Sequence, residues 1–248
     1  MISGMRSDLK NVAATPTAWV LLAASMVMAV VSLVANMSTF ETSELAETGS
    51  IAVAMHASTV ATMTFALIAA LVSATSDYRF GRIDQQLLSQ PRAHSVFSPK
   101  AAVGTVVGLV YGLAGGATAV VAVKVLYSVQ DVPLELGQRA VVEPVLGVVV
   151  ASALFALFGI GAGSAIRNQP FAVVGGLVLL LVIQPPLLLG LPEVGKWLPG
   201  AAGLALTVSP DESLVAPLTG GFVLAAWAGV ASLVGVVRLR SARAGHAT

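Results

Sequence analysis

The sequence predicts an all-α integral membrane protein with six transmembrane helices. Hydrophobic residues make up 56% of the 248-residue chain, charged residues only 10%, and the mean hydropathy is +0.90. Soluble domains are about 25% charged. The charges are also clustered, and six charge-free stretches of 23 to 30 residues separate the clusters. Because about 20 helical residues cross the hydrocarbon core of a bilayer, each stretch is long enough for one span, and a soluble protein is excluded.

The predicted spans belong to a single transmembrane domain that covers residues 1–248. The connections between them are too short to hold a soluble catalytic domain. The chain has no cysteine, which excludes disulfides and thiolate metal ligands, and no metal site is predicted. The net charge of +1 is too small to indicate nucleic-acid binding. The six spans are expected at about residues 16–37, 50–75, 101–125, 143–166, 169–190 and 215–237.

The distribution of lysine and arginine predicts that both termini are cytoplasmic. Basic residues in short loops are retained on the inner side of a membrane. Ten of the 13 lie in the N-terminal segment, the loop between spans two and three, the turn after span four and the C-terminal tail. The three others, which are Lys124, Arg139 and Lys196, lie in the remaining loops.

The N-terminal segment, residues 1–15, is predicted to be a helix that lies at the inner membrane interface. Arg6, Asp8 and Lys10 alternate there with apolar side chains, as is typical of interfacial helices. The alternative is an untethered tail.

The second span is polar for a membrane helix. At 100° per residue, His56, Thr59 and Thr62 or Met63 share one face, which is expected to contact protein or water rather than lipid. Interhelical packing and the wall of a translocation path both account for this face.

The third span carries a stripe of four glycines spaced by four residues. Without a Cβ, these positions allow another helix to approach closely, as helices do in lipid. We therefore assign the stripe to packing. The glycines are Gly104, Gly108, Gly112 and Gly116.

The fifth span contains Gln184-Pro185-Pro186, and two prolines inside a span remove backbone donors and should kink or break it. The apolar segment 197–210 follows. At 14 residues it is too short to span, and it is predicted to be a re-entrant or interfacial element between spans five and six.

The loop of residues 76–100 is the longest predicted cytoplasmic connection. Within it, Phe80, Ile83, Leu87 and Leu88 follow a helical period, and polar residues occupy the opposite faces. The pattern predicts a short amphipathic helix that faces the cytosol. That helix either rests on lipid headgroups or docks into a groove on a cytosolic partner.

This loop resembles the segment after the second helix in six-helix permease subunits of type-2 ATP-binding-cassette (ABC) transporters. The N-terminal "MRSDLKNVAATPTAW" and the outer "WLPGAAGLAL" are similar to segments of the same family, so that the resemblance covers essentially the whole chain. The residues that match in the loop are Asp77-Tyr78-Arg79, Gly81, Ile83, Leu87-Leu88, Pro91, Arg92, Val96 and Lys100.

The resemblance implies a transport subunit without an ATPase site of its own. It implies two separate nucleotide-binding subunits that bind ATP and magnesium, a second permease copy that is identical or different, and no cofactor on this chain. Surrounding lipid would be the other partner, and the plasma (inner) membrane of a bacterium the location. A coupling helix would contact the ATPase through Asp77, Tyr78, Arg79, Gly81, Arg82, Ile83, Leu87, Leu88, Pro91 and Arg92.

Spans two and five would line the substrate path at the dimer interface. Their walls offer hydroxyl, thioether, aliphatic and amide groups but no fixed charge, which favours export of a hydrophobic or amphipathic small molecule or lipid. The candidate path residues are His56, Thr59, Thr62, Met63, Gln184 and Pro185.

Two other classes of function stay open. A carrier or channel without ATPase partners usually has ionisable groups at mid-membrane, and these spans contain almost none. A non-transporting membrane assembly or immunity protein is the other alternative. An enzyme is not expected: Gly190, Gly195 and Lys196 match the start of a phosphate-binding loop, but Trp197 stands where its serine or threonine is required.

Overall fold

The computed structural model describes residue 9 and residues 15–37, 48–79, 93–129, 138–207 and 214–244. Every regular element in these residues is helical, and they contain no strand. The helices are α1 Pro16–Met37, α2 Thr48–Arg79, α3 Ala93–Val129, α4 Gln138–Ile166, α5 Gln169–Leu177, a π-helical segment Val178–Ile183, α6 Gln184–Gly190, α7 Pro192–Gly195, α8 Pro199–Ala205 and α9 Pro217–Ala244.

The described residues contain six helical stretches that are long and apolar enough to cross a membrane, which confirms the predicted all-α class and the number of candidate spans. The fifth stretch comprises α5, the π-helical segment and α6. The side on which the termini lie stays a prediction, and the proposed interfacial helix falls almost entirely outside the described residues. The six stretches are Pro16–Ala35, Ser58–Arg79, His94–Val129, Val141–Ile166, Gln169–Gly190 and Pro217–Ser241.

Helices α2 and α4 form the centre of the bundle. In their most apolar 18-residue stretches, 72% and 61% of the residues are buried, compared with 17% in α1, 17% in the fifth span and 22% in α9. The main core joins Met63 and Leu67 of α2 to Phe155 of α4 and Leu224 of α9. The peripheral helices therefore leave wide apolar faces uncovered by this chain.

The glycine stripe of α3 packs against α4, as its spacing predicts. A Cβ on Gly108 would lie 2.5 Å from the carbonyl oxygen of Ser152, and one on Gly112 would lie 2.5 Å from Cα of Val149. Backbone atoms of α4 thus occupy the space that side chains would fill. This contact confirms that the stripe serves packing.

Helix α3 extends past the predicted third span, because it already begins at Ala93 and contains Pro99. Val96 and Phe97 are buried in a cluster with Ala70 of α2 and Leu239 of α9. Burial of these apolar side chains stabilises the additional turns.

The fifth span changes helical register ahead of its prolines. The backbone N–H of Gln184 donates to the carbonyl of Leu179, five residues back, which is the π-helical pattern. Pro185 and Pro186 have no N–H and cannot donate to the preceding turn. The expected disruption of the span therefore takes the form of a π-helical turn.

Helix α8 packs into the bundle rather than lying apart from it. All seven of its residues are buried. Gly220 of α9 allows the approach, since a Cβ there would lie 2.7 Å from the carbonyl oxygen of Ala202. The segment predicted to be re-entrant or interfacial thus contains a buried helix, and its position relative to the membrane stays a prediction.

Candidate functional site

Basic residues from several helices and one turn gather at one end of the bundle. The end of α2, the start of α3, the turn between α4 and α5 and the end of α9 meet there, and we call it the basic end. Its cationic residues include Arg79, Lys100, Arg167, Arg238 and Arg240.

An ion pair joins α2 to α3 at the basic end. Lys100 Nζ lies 2.6 Å from Asp77 Oδ2, and their side chains are only 8% and 16% exposed. Because both charges are largely removed from water, each depends on the other for compensation. The pair connects α2 to α3, the helices that precede and follow residues 80–92 in the sequence.

Tyr78 connects α2 to α4 beside this ion pair. Its hydroxyl donates to the carbonyl oxygen of Ser164, at 3.1 Å. The guanidinium carbon of Arg167 lies 5.6 Å from the centre of the Tyr78 ring, within the range of a cation–π contact. Arg167 also donates to the carbonyl of Arg238, which adds α9 to the same cluster.

The structure therefore covers only the first part of the predicted coupling element. Asp77, Tyr78 and Arg79 end α2, and Arg79 is exposed. The remaining candidates lie outside the described residues, and their contact with an ATPase stays a prediction. They are Gly81, Arg82, Ile83, Leu87, Leu88, Pro91 and Arg92.

A cavity of about 350 Å³ opens at the basic end between α1, α2 and α3, with Ile160 of α4 and Gln169 of α5 also in its lining. Lys100 and Asp77 line it together with the hydroxyl groups of Thr17 and Ser73. Nothing in the residue spacing of the sequence indicated this cavity, because its walls combine residues that are far apart along the chain.

The polar face of α2 is turned into the bundle. Thr59, Thr62 and Met63 are buried, whereas His56 is half-buried. Thr62 Oγ1 donates to the carbonyl oxygen of Ser58 at 2.8 Å, and a Cβ on Gly115 of α3 would collide with the Thr62 side chain. The face therefore packs the bundle in this chain, and its place along a substrate path stays a prediction.

Gln184 and Pro185 point in different directions. The Gln184 side chain is buried, and its Oε1 accepts a hydrogen bond from the backbone N–H of Gly200 at 2.9 Å. Pro185 is exposed on the outer surface of the span. Gln184 thus fastens α8 to the fifth span, a role that its sequence neighbours do not reveal.

The fifth span presents an uncovered apolar stripe. Most of its exposed large side chains are spaced by three or four residues, as on one face of a helix, and Ile183 is exposed beside them. In a bilayer such a face contacts lipid or another membrane protein. The stripe comprises Phe171, Val174, Val178, Leu181, Val182 and Leu189.

An apolar groove of about 640 Å³ lies between the C-terminal halves of α1 and α3, away from the basic end. Met26, Val30 and Val121 are among its walls, and it offers few polar groups.

Within the described part of the chain, no cluster of three or more histidine or acidic side chains has the arrangement of a metal site.

Comparison with protein-family models and with curated proteins found no match to this sequence. Six apolar helices make the chain compatible with an integral membrane protein. That class rests on the length and the apolar composition of the helices.

Proposed function

We propose that this chain is the permease subunit of a type-2 ABC transporter. In this proposal it exports a hydrophobic or amphipathic small molecule or lipid and binds no nucleotide itself. Two separate ATPase subunits, which bind ATP and magnesium, drive the transport. The chain pairs with a second permease copy in the plasma membrane.

The observation that carries this proposal is the ion pair between Asp77 and Lys100. These residues stand at the two ends of the loop that resembles the permease family, and 22 residues separate them. The 2.6 Å contact brings both ends together at the basic end of the bundle. Because its two ends are joined in this way, the loop can transmit a displacement caused by a cytosolic partner to α2 and α3 together.

The packing of α2 supports the same proposal. Helix α2 contacts α1, α3, α4 and α5, so a displacement of its end would reach most of the bundle. Packed helices respond by shifting between discrete arrangements rather than by deforming continuously. A movement of the loop could therefore change access to a path beside α2 and the fifth span.

The uncharged surface of the fifth span supports an apolar substrate. The stripe of the fifth span is aliphatic and aromatic, and Pro185 lies on the same exposed surface. Between two permease copies, such a wall would favour hydrophobic or amphipathic compounds over sugar phosphates or metal ions.

The proposal is tested by placing charges on the apolar side of the loop helix. We expect Leu87→Asp together with Leu88→Asp to abolish co-purification of the ATPase subunit and transport-coupled ATP hydrolysis, since two carboxylates cannot enter an apolar socket without a large desolvation cost. The matched control is Gln85→Asp with Gln86→Asp, which adds equal charge on the polar side and should keep both activities. Unchanged ATPase binding in the leucine variant would remove the docking role.

A further inference from the structure

The cavity at the basic end has an uneven lining. On α1 the walls run from Thr17 to Leu21, and on α3 they run from Lys100 to Val107. On α2 they run from Asp77 back to the apolar Ala69. Each helix therefore contributes polar groups at the end of the bundle and apolar groups deeper inside, over about 10 Å along the helix axes.

Lys100 supplies the polar centre of this cavity. Its side chain is 8% exposed and lines the cavity wall. An ammonium group carries three donors, and the contact with Asp77 Oδ2 uses one direction. Within the described part of the chain, Nζ has no other acceptor. A buried ammonium with unused donors favours an oxygen-rich anionic group beside it.

The charges around the cavity favour the same kind of ligand. Asp77, Lys100 and Arg79 all line it, and together they carry one net positive charge. The hydroxyl of Ser73 and the amide of Gln169 add groups that can donate hydrogen bonds to phosphate oxygens.

We propose that this cavity binds the phosphate group of a membrane phospholipid, with the lipid glycerol and the first acyl carbons against its apolar floor. The site requires neither ATP nor the ATPase subunits, and none of the residues of the fifth-span stripe lines it. The polar-to-apolar order of the walls matches the order of groups in a phospholipid at the membrane interface. A volume of about 350 Å³ holds the headgroup region, and the acyl chains continue into the bilayer.

The apolar part of the cavity favours a lipid over a free phosphate ester. Leu21, Val103, Val107 and Ile160 form apolar walls that a small water-soluble anion would leave uncovered. A phospholipid covers them and gains the free energy of apolar burial. A lipid should therefore bind far more tightly than its soluble headgroup.

The site is tested by native mass spectrometry of the delipidated full-length chain, together with any subunits that co-purify. The probes are phosphatidylglycerol, diacylglycerol with the same acyl chains, and glycerol phosphate. We expect one retained phosphatidylglycerol per chain, and at least tenfold weaker retention of the other two probes.

Two substitutions reduce the volume of the cavity without changing Asp77 or Lys100. We expect Ser73→Leu to lower phosphatidylglycerol retention about tenfold, because the larger side chain enters the cavity and a donor is lost. Thr17→Leu, at an exposed position on α1, should have the same effect without a threat to folding. The matched control is Ser241→Leu, an exposed position near the basic end, which should retain wild-type binding.

Three results would overturn the proposal. Wild-type retention in both cavity variants would place the lipid elsewhere. Equal retention of diacylglycerol would show that the phosphate is not recognised. Glycerol phosphate bound as tightly as the lipid would show a soluble-phosphate site. None of these measurements depends on ATP or on the ATPase subunits, so failure here and failure of the transport proposal are distinguishable.

Discussion

Individual glycines determine how closely the central helices approach. Gly108 and Gly112 allow α3 to contact the backbone of α4, and Gly161 of α4 gives similar access to α9, where a Cβ would lie 2.5 Å from the carbonyl carbon of Ala231. In lipid, where apolar side chains gain little by meeting each other, such close contact is a main source of helix association.

The residue-scale prediction concerns Gly108. We expect Gly108→Ala to destabilise the protein by about 1–3 kcal/mol, since the added methyl overlaps backbone atoms that cannot move aside. The measurement is thermal unfolding in detergent. Gly229→Ala is the control, because a Cβ at Gly229 meets nothing within 4 Å. Similar unfolding temperatures for both variants would contradict the assigned packing.

At the scale of elements, the ion pair makes α2 and α3 act as one unit at the basic end. Tyr78 and Arg167 extend this connection to α4 and α9. By contrast, Gln184 and Gly200 connect the fifth span to α8 with one buried hydrogen bond near the opposite end. Charged groups and a tyrosine thus connect the helices at the basic end, whereas a buried amide connects them near the opposite end.

The element-scale prediction is a double-mutant cycle on the ion pair. Lys100→Met alone leaves the Asp77 carboxylate buried without its cation and should cost about 3–5 kcal/mol. Lys100→Met combined with Asp77→Asn removes both charges and should be less damaging than Lys100→Met alone. Chemical or thermal unfolding of the wild type, of Lys100→Met, of Asp77→Asn and of the double variant measures the coupling. Additive losses would mean that the two side chains do not interact.

At the scale of the whole molecule, the outer helices leave large apolar faces for other molecules. The stripe of the fifth span is the face that the proposed permease dimer would use, whereas the exposed side of α9 would contact lipid. The chain has no cysteine, so single cysteines can be introduced without background reaction.

The whole-molecule prediction uses this property. If the two permease copies are identical, Leu181→Cys should form a disulfide-linked dimer under mild oxidation in membranes, because equivalent residues near a two-fold axis meet each other. Leu233→Cys, at an exposed position on α9, is the control and should stay monomeric on a non-reducing gel. A dimer formed by the α9 variant alone would move the interface to the other side of the bundle.

The amino-acid sequence by itself determined the helical class, the number of spans and the packing role of the Gly104–Gly116 stripe. These features follow from local composition: uninterrupted apolar length satisfies the bilayer, and glycine at every fourth position forms one face whatever its partner. The tertiary structure alone decided that Lys100 pairs with Asp77, that Gln184 accepts a hydrogen bond from Gly200, and that Thr62 packs against Gly115. Such contacts join residues distant along the chain, and a polar side chain in lipid shows that it needs a partner without showing which one.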